Sequence, residues 1–289
     1  MVVDIILITY NQKQFIAQAV EGILMQHVNK EVQIRVIVAD DCSTDKTSQI
    51  IKSYEEKSPF PFVYLPAEKN MGYVRNYQRA FAACNGDYVA ILEGDDFWTS
   101  PNHIQMQVDY LNQHHECVLT TTTPIFYNGS YDVDYYNTIK EFETIYTTKE
   151  FLRWNRIANM SACVIRNAVL KKISSRIYEV DLLDWILYIA LSEHGVLARL
   201  KQTTSIYRIN SGGCWTKMTE EQQNEYRCKI LTSYDKLLEG RYHGEIEKTK
   251  SLLTNKKSCK HILKQYIPPM LIDLFHWILP PIVFKRRRK

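Results

Sequence analysis

The chain has 289 residues, of which 45% are hydrophobic and 24% charged, and it carries a net charge of +4 at pH 7. This is the composition of an ordinary globular protein and excludes collagen-like, disulfide-scaffold and generally disordered classes; the length suits one α/β core of roughly 200 to 250 residues with an appendage. Much of the positive charge sits in Lys285-Arg286-Arg287-Arg288-Lys289 rather than on a basic face, which argues against a nucleic-acid partner.

The run Val2-Val3-Asp4-Ile5-Ile6-Leu7-Ile8 is expected to be a strand, being too short and abrupt for a signal peptide. From there β-branched runs alternate with helical patterns: strand 4–9, helix 14–25, strand 34–39, helix 44–57, strand 62–65, helix 72–84 and strand 88–92. The alternation predicts an α/β fold with a mostly parallel sheet flanked by helices. Phe15, Ile16, Ala19, Val20, Ile23 and Leu24 recur at helical spacing, which gives the first helix one apolar face for that sheet. A helix is predicted at 102–114. Between Val118 and Tyr207 strands and helices mix in no legible order, apart from a helix at 184–193 that ends at Gly195. From Thr219 onward the chain is polar and helical. The seven cysteines, odd in number and without a Cys-x-x-Cys pair, are expected to be reduced thiols of a cytosolic protein.

In an open α/β sheet, ligands bind beyond the carboxyl ends of the strands, so the residues after each apolar run carry the chemistry. Four polar clusters stand there: Thr9-Tyr10-Asn11, Asp40-Asp41, Asn70-Met71-Gly72 and Glu93-Gly94-Asp95-Asp96. Around Asp40-Asp41, Ser43 or Thr44 can cap the next helix. Capping does not require two consecutive carboxylates, and a strand-end carboxylate can instead bind a base or ribose. Three acids within four residues repel one another unless a cation compensates, and such oxygen ligands suit Mg²⁺ or Mn²⁺; the alternative is a solvated acidic turn, against which Phe97-Trp98 argues. The sequence has no Gly-rich phosphate loop. Arg75 could bind a diphosphate with its forked guanidinium or be an ordinary exposed helix arginine.

Together these segments closely resemble glycosyltransferase family 2, whose catalytic domain has the GT-A fold. The resemblance is carried by Ile8-Thr9-Tyr10-Asn11, by Val38-Ala39-Asp40-Asp41-Cys42-Ser43-Thr44-Asp45, by Asn70-Met71-Gly72-Tyr73-Val74-Arg75-Asn76 and by the stretch from Gly86 to Trp98. It resumes at Asp184-Trp185 with Glu193-His194-Gly195, and at Tyr207-Arg208-Ile209-Asn210-Ser211-Gly212-Gly213-Cys214-Trp215. The resemblance implies a catalytic domain at residues 1–215 and a helical extension at 216–289. It implies a nucleotide-sugar donor, most simply a UDP-sugar, held by Thr9, Tyr10, Asn11 and Asp40, with Asn70, Arg75 and Gly94 beside it and Arg208 on its phosphates. Asp95 would be the main ligand of Mn²⁺ or Mg²⁺. Glu93 stands where the family has Asp, and Asn210 where relatives usually carry His, so these two are the departures in the metal set. Asp184 would be the general base of an inverting transfer; Asp181 is its competitor. The acceptor implied is a glycan or lipid-linked oligosaccharide of a bacterial surface polysaccharide such as an O-antigen or capsule.

Phe151-Leu152-Arg153-Trp154 looks like part of the Gln-x-x-Arg-Trp signature of processive synthases, but it precedes Asp184 and lacks the Gln. The apolar stretch 267–284 is interrupted by two Pro-Pro pairs, too short to span a bilayer. With the basic end that follows, it is expected to bind the inner face of the cytoplasmic membrane peripherally; the alternative is a helix docked on the catalytic domain. Two other functions fit the motifs. A sugar-phosphate nucleotidyltransferase would carry a Gly-rich basic loop where this chain has Tyr10-Asn11-Gln12-Lys13-Gln14, and a non-catalytic binding protein would not need Asp40, Asp95 and Asp184 together.

Overall fold

A computed structural model of the protein describes residues 1–127, 143–157, 159–181, 183–209 and 218–254. The elements in chain order are β1 (Val2–Thr9), α1 (Ile16–Leu24), β2 (Gln33–Asp40), α2 (Thr47–Glu55), β3 (Phe62–Tyr64), α3 (Tyr73–Ala83), β4 (Tyr88–Glu93) and β5 (Phe97–Trp98). They continue with α4 (His103–Gln113), β6 (Cys117–Thr121), β7 (Ile125–Tyr127), β8 (Thr144–Tyr146), α5 (Thr148–Arg153), β9 (Cys163–Arg166), α6 (Asn167–Leu170), α7 (Leu183–Ser192), β10 (Val196–Arg199) and β11 (Ser205–Arg208). Each element anticipated in the first hundred residues is present, with ends moved by at most three positions.

The main sheet has eight strands in the order β3-β2-β1-β4-β9-β6-β10-β8. Its first four strands are parallel, as the alternation predicts, and their side chains are apolar towards both faces because helices cover both. Val3, Ile5, Ile6 and Leu7 of β1 and Val89, Ala90, Ile91 and Leu92 of β4 have no exposed surface. The remaining half is mixed. β9 runs antiparallel to both β4 and β6, and β8 antiparallel to β10. β9 thus joins β4 and β6 although it follows both in the chain, an insertion that no periodicity reveals. A small second sheet, β5-β11-β7, joins segments from three distant parts of the chain. In α7 the residues from Trp185 to Ser192 are all buried, which hides a one-sided pattern there.

These elements form one compact unit. A second unit contains α8 (Glu220–Leu237) and α9 (His243–Thr254), in keeping with the predicted C-terminal helices. α8 starts with a capping box, in which Thr219 N–H donates to Gln222 Oε1 at 2.8 Å and Gln222 N–H to Thr219 Oγ1 at 3.2 Å. Gly240, at φ 70°, supplies the left-handed turn between the two helices. No described helix is long and apolar enough to cross a membrane; the basic tail and the stretch 267–284 lie outside the described residues.

An ionisable group is set in the core of the main sheet. Asp4 on β1, with no exposed surface, accepts from Arg35 Nε at 2.8 Å and Nη2 at 2.9 Å, and from the backbone N–H groups of Asn85 and Gly86 at 2.7 and 2.8 Å. It thereby fastens the turn before β4 to β1 and β2. Replacing Asp4 by Ala strands a guanidinium and two N–H donors, and is expected to destabilise the fold by about 3 kcal/mol. Urea unfolding of Asp4→Ala checks this; an unchanged midpoint would contradict it.

Candidate active site

Parallel pairing sets Thr9 beside Asp40 and Ile8 beside Glu93, so the carboxyl ends of β1, β2 and β4 make one rim. The loops leaving that rim are tied to each other by short polar side chains. Asn11, at φ 52°, donates its N–H to Ser43 Oγ at 2.9 Å, and its Oδ1 accepts the Thr44 N–H at 2.8 Å. Asp40 Oδ1 accepts from both the N–H and the hydroxyl of Ser43. Thr9 is buried and donates to Gln12 Oε1 at 2.8 Å, whereas the Tyr10 ring next to it is 44% exposed and open to a ligand.

The two consecutive carboxylates have separate duties. Asp41 is buried and accepts the N–H groups of Met71 and Gly72 at 2.9 and 2.8 Å, while its own N–H donates to the Thr9 carbonyl at 2.9 Å. It therefore pins the 70–72 loop, in which Gly72 takes φ 85°, to the rim. Only Asp40 is left half-buried beside the Tyr10-Asn11 loop. Neither Ser43 nor Thr44 caps α2, whose N-cap is Lys46 without a side-chain cap; Asp45, just before it, accepts the Thr47 N–H on Oδ1 at 2.8 Å. Asn70 is exposed, with its amide on the Asp41 carbonyl at 3.3 Å.

The arginine that meets the rim is Arg79, one helical turn beyond Arg75. Its guanidinium donates to the carbonyls of Leu65, Pro66 and Asp40 at 3.1, 2.7 and 2.7 Å. Arg75 is exposed on α3, with Nη1 on Gln78 Oε1 at 2.6 Å. Sequence spacing could not choose between the two arginines, which lie four positions apart on the helix. Asn76 and Tyr77 face inward between them: Asn76 Nδ2 donates to the Ala39 carbonyl at 2.8 Å, and Tyr77 Oη to Glu93 Oε1 at 2.9 Å.

The acidic turn is held from beneath. Asp96 is buried, with Oδ2 accepting from Asn159 Nδ2 at 2.8 Å and Ser161 Oγ at 2.6 Å, and Oδ1 accepting the Arg208 N–H at 2.9 Å. Ser161 Oγ also accepts the Glu93 N–H at 3.1 Å, and its carbonyl accepts Trp98 Nε1 at 2.7 Å. Arg208 closes the turn from β11. Its guanidinium donates to the Asp95 carbonyl and to Gln18 Oε1, and lies between the Phe15 and Phe97 rings at 5.0 and 4.5 Å. The resemblance gave Arg208 to phosphate; the structure places its guanidinium at the acidic turn, on the Asp95 carbonyl and Gln18. Gly94 is buried and packed closely against Thr9 and Gln12.

Charge at this place is crowded. Burial, then Asp96 and Asp95, push the Glu93 carboxyl well above its ordinary value. Burial and Asp95 push Asp96 up to about 7. Asp184, in the first turn of α7, is raised by burial and is close enough to add to the field on Glu93. The Tyr207 phenol is raised by burial and by all four acids together, Glu93 first. Segments from β4, α7 and β11 therefore bring Glu93, Asp95, Asp96, Asp184 and Tyr207 to one locus. Asp181 is exposed, two residues before α7. Asn210 lies outside the described residues.

Among the described residues no three His, Cys, Asp or Glu side chains converge as a ready-made metal cage. Mg²⁺ and Mn²⁺ do not require one, since they are held by one or two carboxylates plus substrate phosphates and water. The mutual repulsion of acids at this turn is what a divalent cation relieves, so the donor set fits such an ion.

The model of the family described as glycosyl transferase family 2 matches residues 4–174, which include β1 to β4, the acidic turn and β9. The chain belongs to glycosyltransferase family 2. An uncharacterized protein of Mycobacterium tuberculosis is 32% identical over 225 residues, covering 73% of this chain and 60% of that protein; the chain thus spans about 60% of that relative's length. Staphylococcus aureus TarS, solved in complex with UDP-GlcNAc, superposes over 96% of this chain and 79% of its own with TM-score 0.65 and 19% identity. The mannosyltransferase PcManGT of Pyrobaculum calidifontis, solved with GDP-Man and Mn²⁺, superposes over 98% and 81% with TM-score 0.60 and 13% identity. The fold is GT-A, a fold whose solved members include nucleotide-sugar complexes and one that holds a divalent metal.

A Cβ on Gly94 would stand 2.4 Å from Gln12 Oε1, 2.8 Å from Thr9 Oγ1 and 2.9 Å from Ile16 Cδ1. Gly94→Ala is therefore expected to destabilise the protein by about 1–3 kcal/mol through overpacking. Thermal melting measures this, and a melting temperature equal to the parent's would show that the Thr9-Gln12 loop yields freely.

Proposed function

We propose that this family 2 member is an inverting, metal-dependent glycosyltransferase that moves one sugar from a UDP-sugar to a hydroxyl of a glycan or lipid-linked acceptor. The observation that carries the reading is Asp184: a partly buried carboxylate on α7, within electrostatic reach of the acidic turn that ends β4. An acid at that turn and another on a separate element supply the two things transfer requires, a leaving-group site and a base. Asp40 and the exposed Tyr10 form the nucleoside side, with Thr9 and Asn11 holding their loop. Asp95 holds the metal, and Glu93, fastened by Tyr77, backs it.

The acceptor hydroxyl gives its proton to Asp184 while its oxygen bonds to the anomeric carbon. The bond from that carbon to the diphosphate oxygen breaks, and its electron pair leaves with the nucleoside diphosphate. Bound Mn²⁺ or Mg²⁺ supplies charge neutralisation to that leaving group. Attack from the opposite face inverts the anomeric centre. We assign residues 1–215 to catalysis and 216–289 to a helical extension whose tail meets the inner face of the cytoplasmic membrane. A surface polysaccharide as product is supported by the motif resemblance.

Mn²⁺-dependent release of UDP from a panel of UDP-sugars is the test. Turnover is expected with one donor, with Asp184→Asn lowering it at least about 100-fold; release of pyrophosphate from UTP and a sugar phosphate instead would favour a nucleotidyltransferase. The pH profile follows from the same residue. Burial raises Asp184, opposed by hydrogen bonds from the Trp185 N–H and Asn155. Only the unprotonated form is a base, so kcat/KM is expected to fall about tenfold per pH unit below a midpoint above the ordinary aspartate value. An acid limb at or below the ordinary value would contradict the assignment. For the tail, a chain truncated before Ile267 is expected to sediment less with anionic vesicles than the full chain; equal sedimentation would remove the tail as anchor.

A further inference from the structure

Both oxygens of the Asp184 carboxylate are engaged by neutral donors. Oδ1 accepts the N–H of Trp185 at 2.7 Å, from its own helix, and Oδ2 accepts Nδ2 of Asn155 at 3.0 Å, from the segment after α5. The Asn155 amide is itself fixed, because its Oδ1 accepts the Ile157 N–H at 3.2 Å, which leaves the NH₂ end for the acid. α5 and α7 are also joined by Trp185 Nε1 donating to the Phe151 carbonyl at 2.7 Å. The segment that looked like a displaced synthase signature, with Asn155 directly after it, is thus bonded to the first turn of α7.

The groups facing Asp184 from its surroundings are Glu93 on β4, Cys163 on β9, Tyr188 on α7 itself and Tyr207 on β11. They are one acid, one thiol and two phenols, so none of these neighbours gives the carboxylate a cation to hold it in place. Each carboxylate oxygen keeps a second lone pair after its hydrogen bond, so an oriented Asp184 can still accept a proton.

We propose that Asn155 is a positioning residue for the transfer step: its amide holds the Asp184 carboxylate in the orientation that receives the acceptor's proton. The inference rests on Asp184 being the base. Asn155 touches no substrate in this scheme and acts only through the acid. Misplacing a catalytic group in this way costs on the order of 10²-fold in rate while leaving donor binding intact.

The experiment uses the full chain with Mn²⁺ and the UDP-sugar that the donor panel yields. It measures kcat and donor KM by UDP release, and UDP affinity by calorimetry, for Asn155→Ala and Asn155→Asp. Asn155→Ala is expected to lower kcat about 10- to 100-fold with donor KM and UDP affinity within about twofold of the parent. Asn155→Asp keeps the shape of asparagine but sets a second carboxylate against Asp184, and is expected to lose more than Asn155→Ala. A role in packing alone predicts the reverse order. That order, an unchanged kcat, or a loss shared equally by donor KM, overturns the proposal. Should Asn155→Ala fail to fold, Asn155→Ser takes its place in the comparison. Parental turnover in Asp184→Asn would remove the base, and with it this proposal, whereas a large loss in Asp184→Asn beside a neutral Asn155→Ala would refute the positioning role alone.

Discussion

Like charge gathered at one end of a parallel sheet is the constraint on which this structure turns. Pairing β1 with both β2 and β4 sets Thr9 beside Asp40 and Ile8 beside Glu93, so the loops after three strands must share one rim. The same pairing gives the apolar core its layers, since strands buried on both faces need helices on both sides. Acids then accumulate where the core ends. Asp41 and Asp96 are buried and accept hydrogen bonds from N–H, hydroxyl and amide donors, and Asp40, Asp95 and Asp184 are left with surface towards solvent.

The division between supporting and exposed acids recurs. In each adjacent acidic pair, Asp40-Asp41 and Asp95-Asp96, the second carboxylate is buried and bound by two or more donors, while the first keeps some exposed surface. For Asp40-Asp41, at the end of β2, the alternation of a strand explains this, because consecutive side chains leave the strand end in opposite directions. One points down into the loops that must be anchored and the other towards the rim. Arginines follow a related logic. Arg79 and Arg208 cap carbonyls at the strand ends and the acidic turn, where a guanidinium can satisfy several oxygens at once and leave the local charge less negative.

Much of the site could be read from the residues themselves. The clusters at positions 9–11, 40–41, 70–72 and 93–96 are strand-end clusters, and the first hundred residues have a strict local rhythm that locates them. The same rhythm could not reveal that Arg79 reaches the rim carbonyls or that Asp45, rather than Ser43 or Thr44, accepts the first N–H of α2. Those outcomes depend on contacts between loops. Ser161, Asn159 and Asn155 had no signal at all, because small polar residues in an irregular segment look alike until the chain folds them against an acid.

The sequence by itself determined the alternating αβ half, the order of its strand-end motifs and the family, because neighbouring residues set strand and helix periods and motif spacing survives without any contact information. Only the tertiary structure decided that β9 runs antiparallel between β4 and β6, that Arg208 serves the backbone of the acidic turn, and that α7 brings Asp184 to Glu93. Each of these joins residues about 40 or more positions apart. Such choices are made by packing, which a local pattern does not encode.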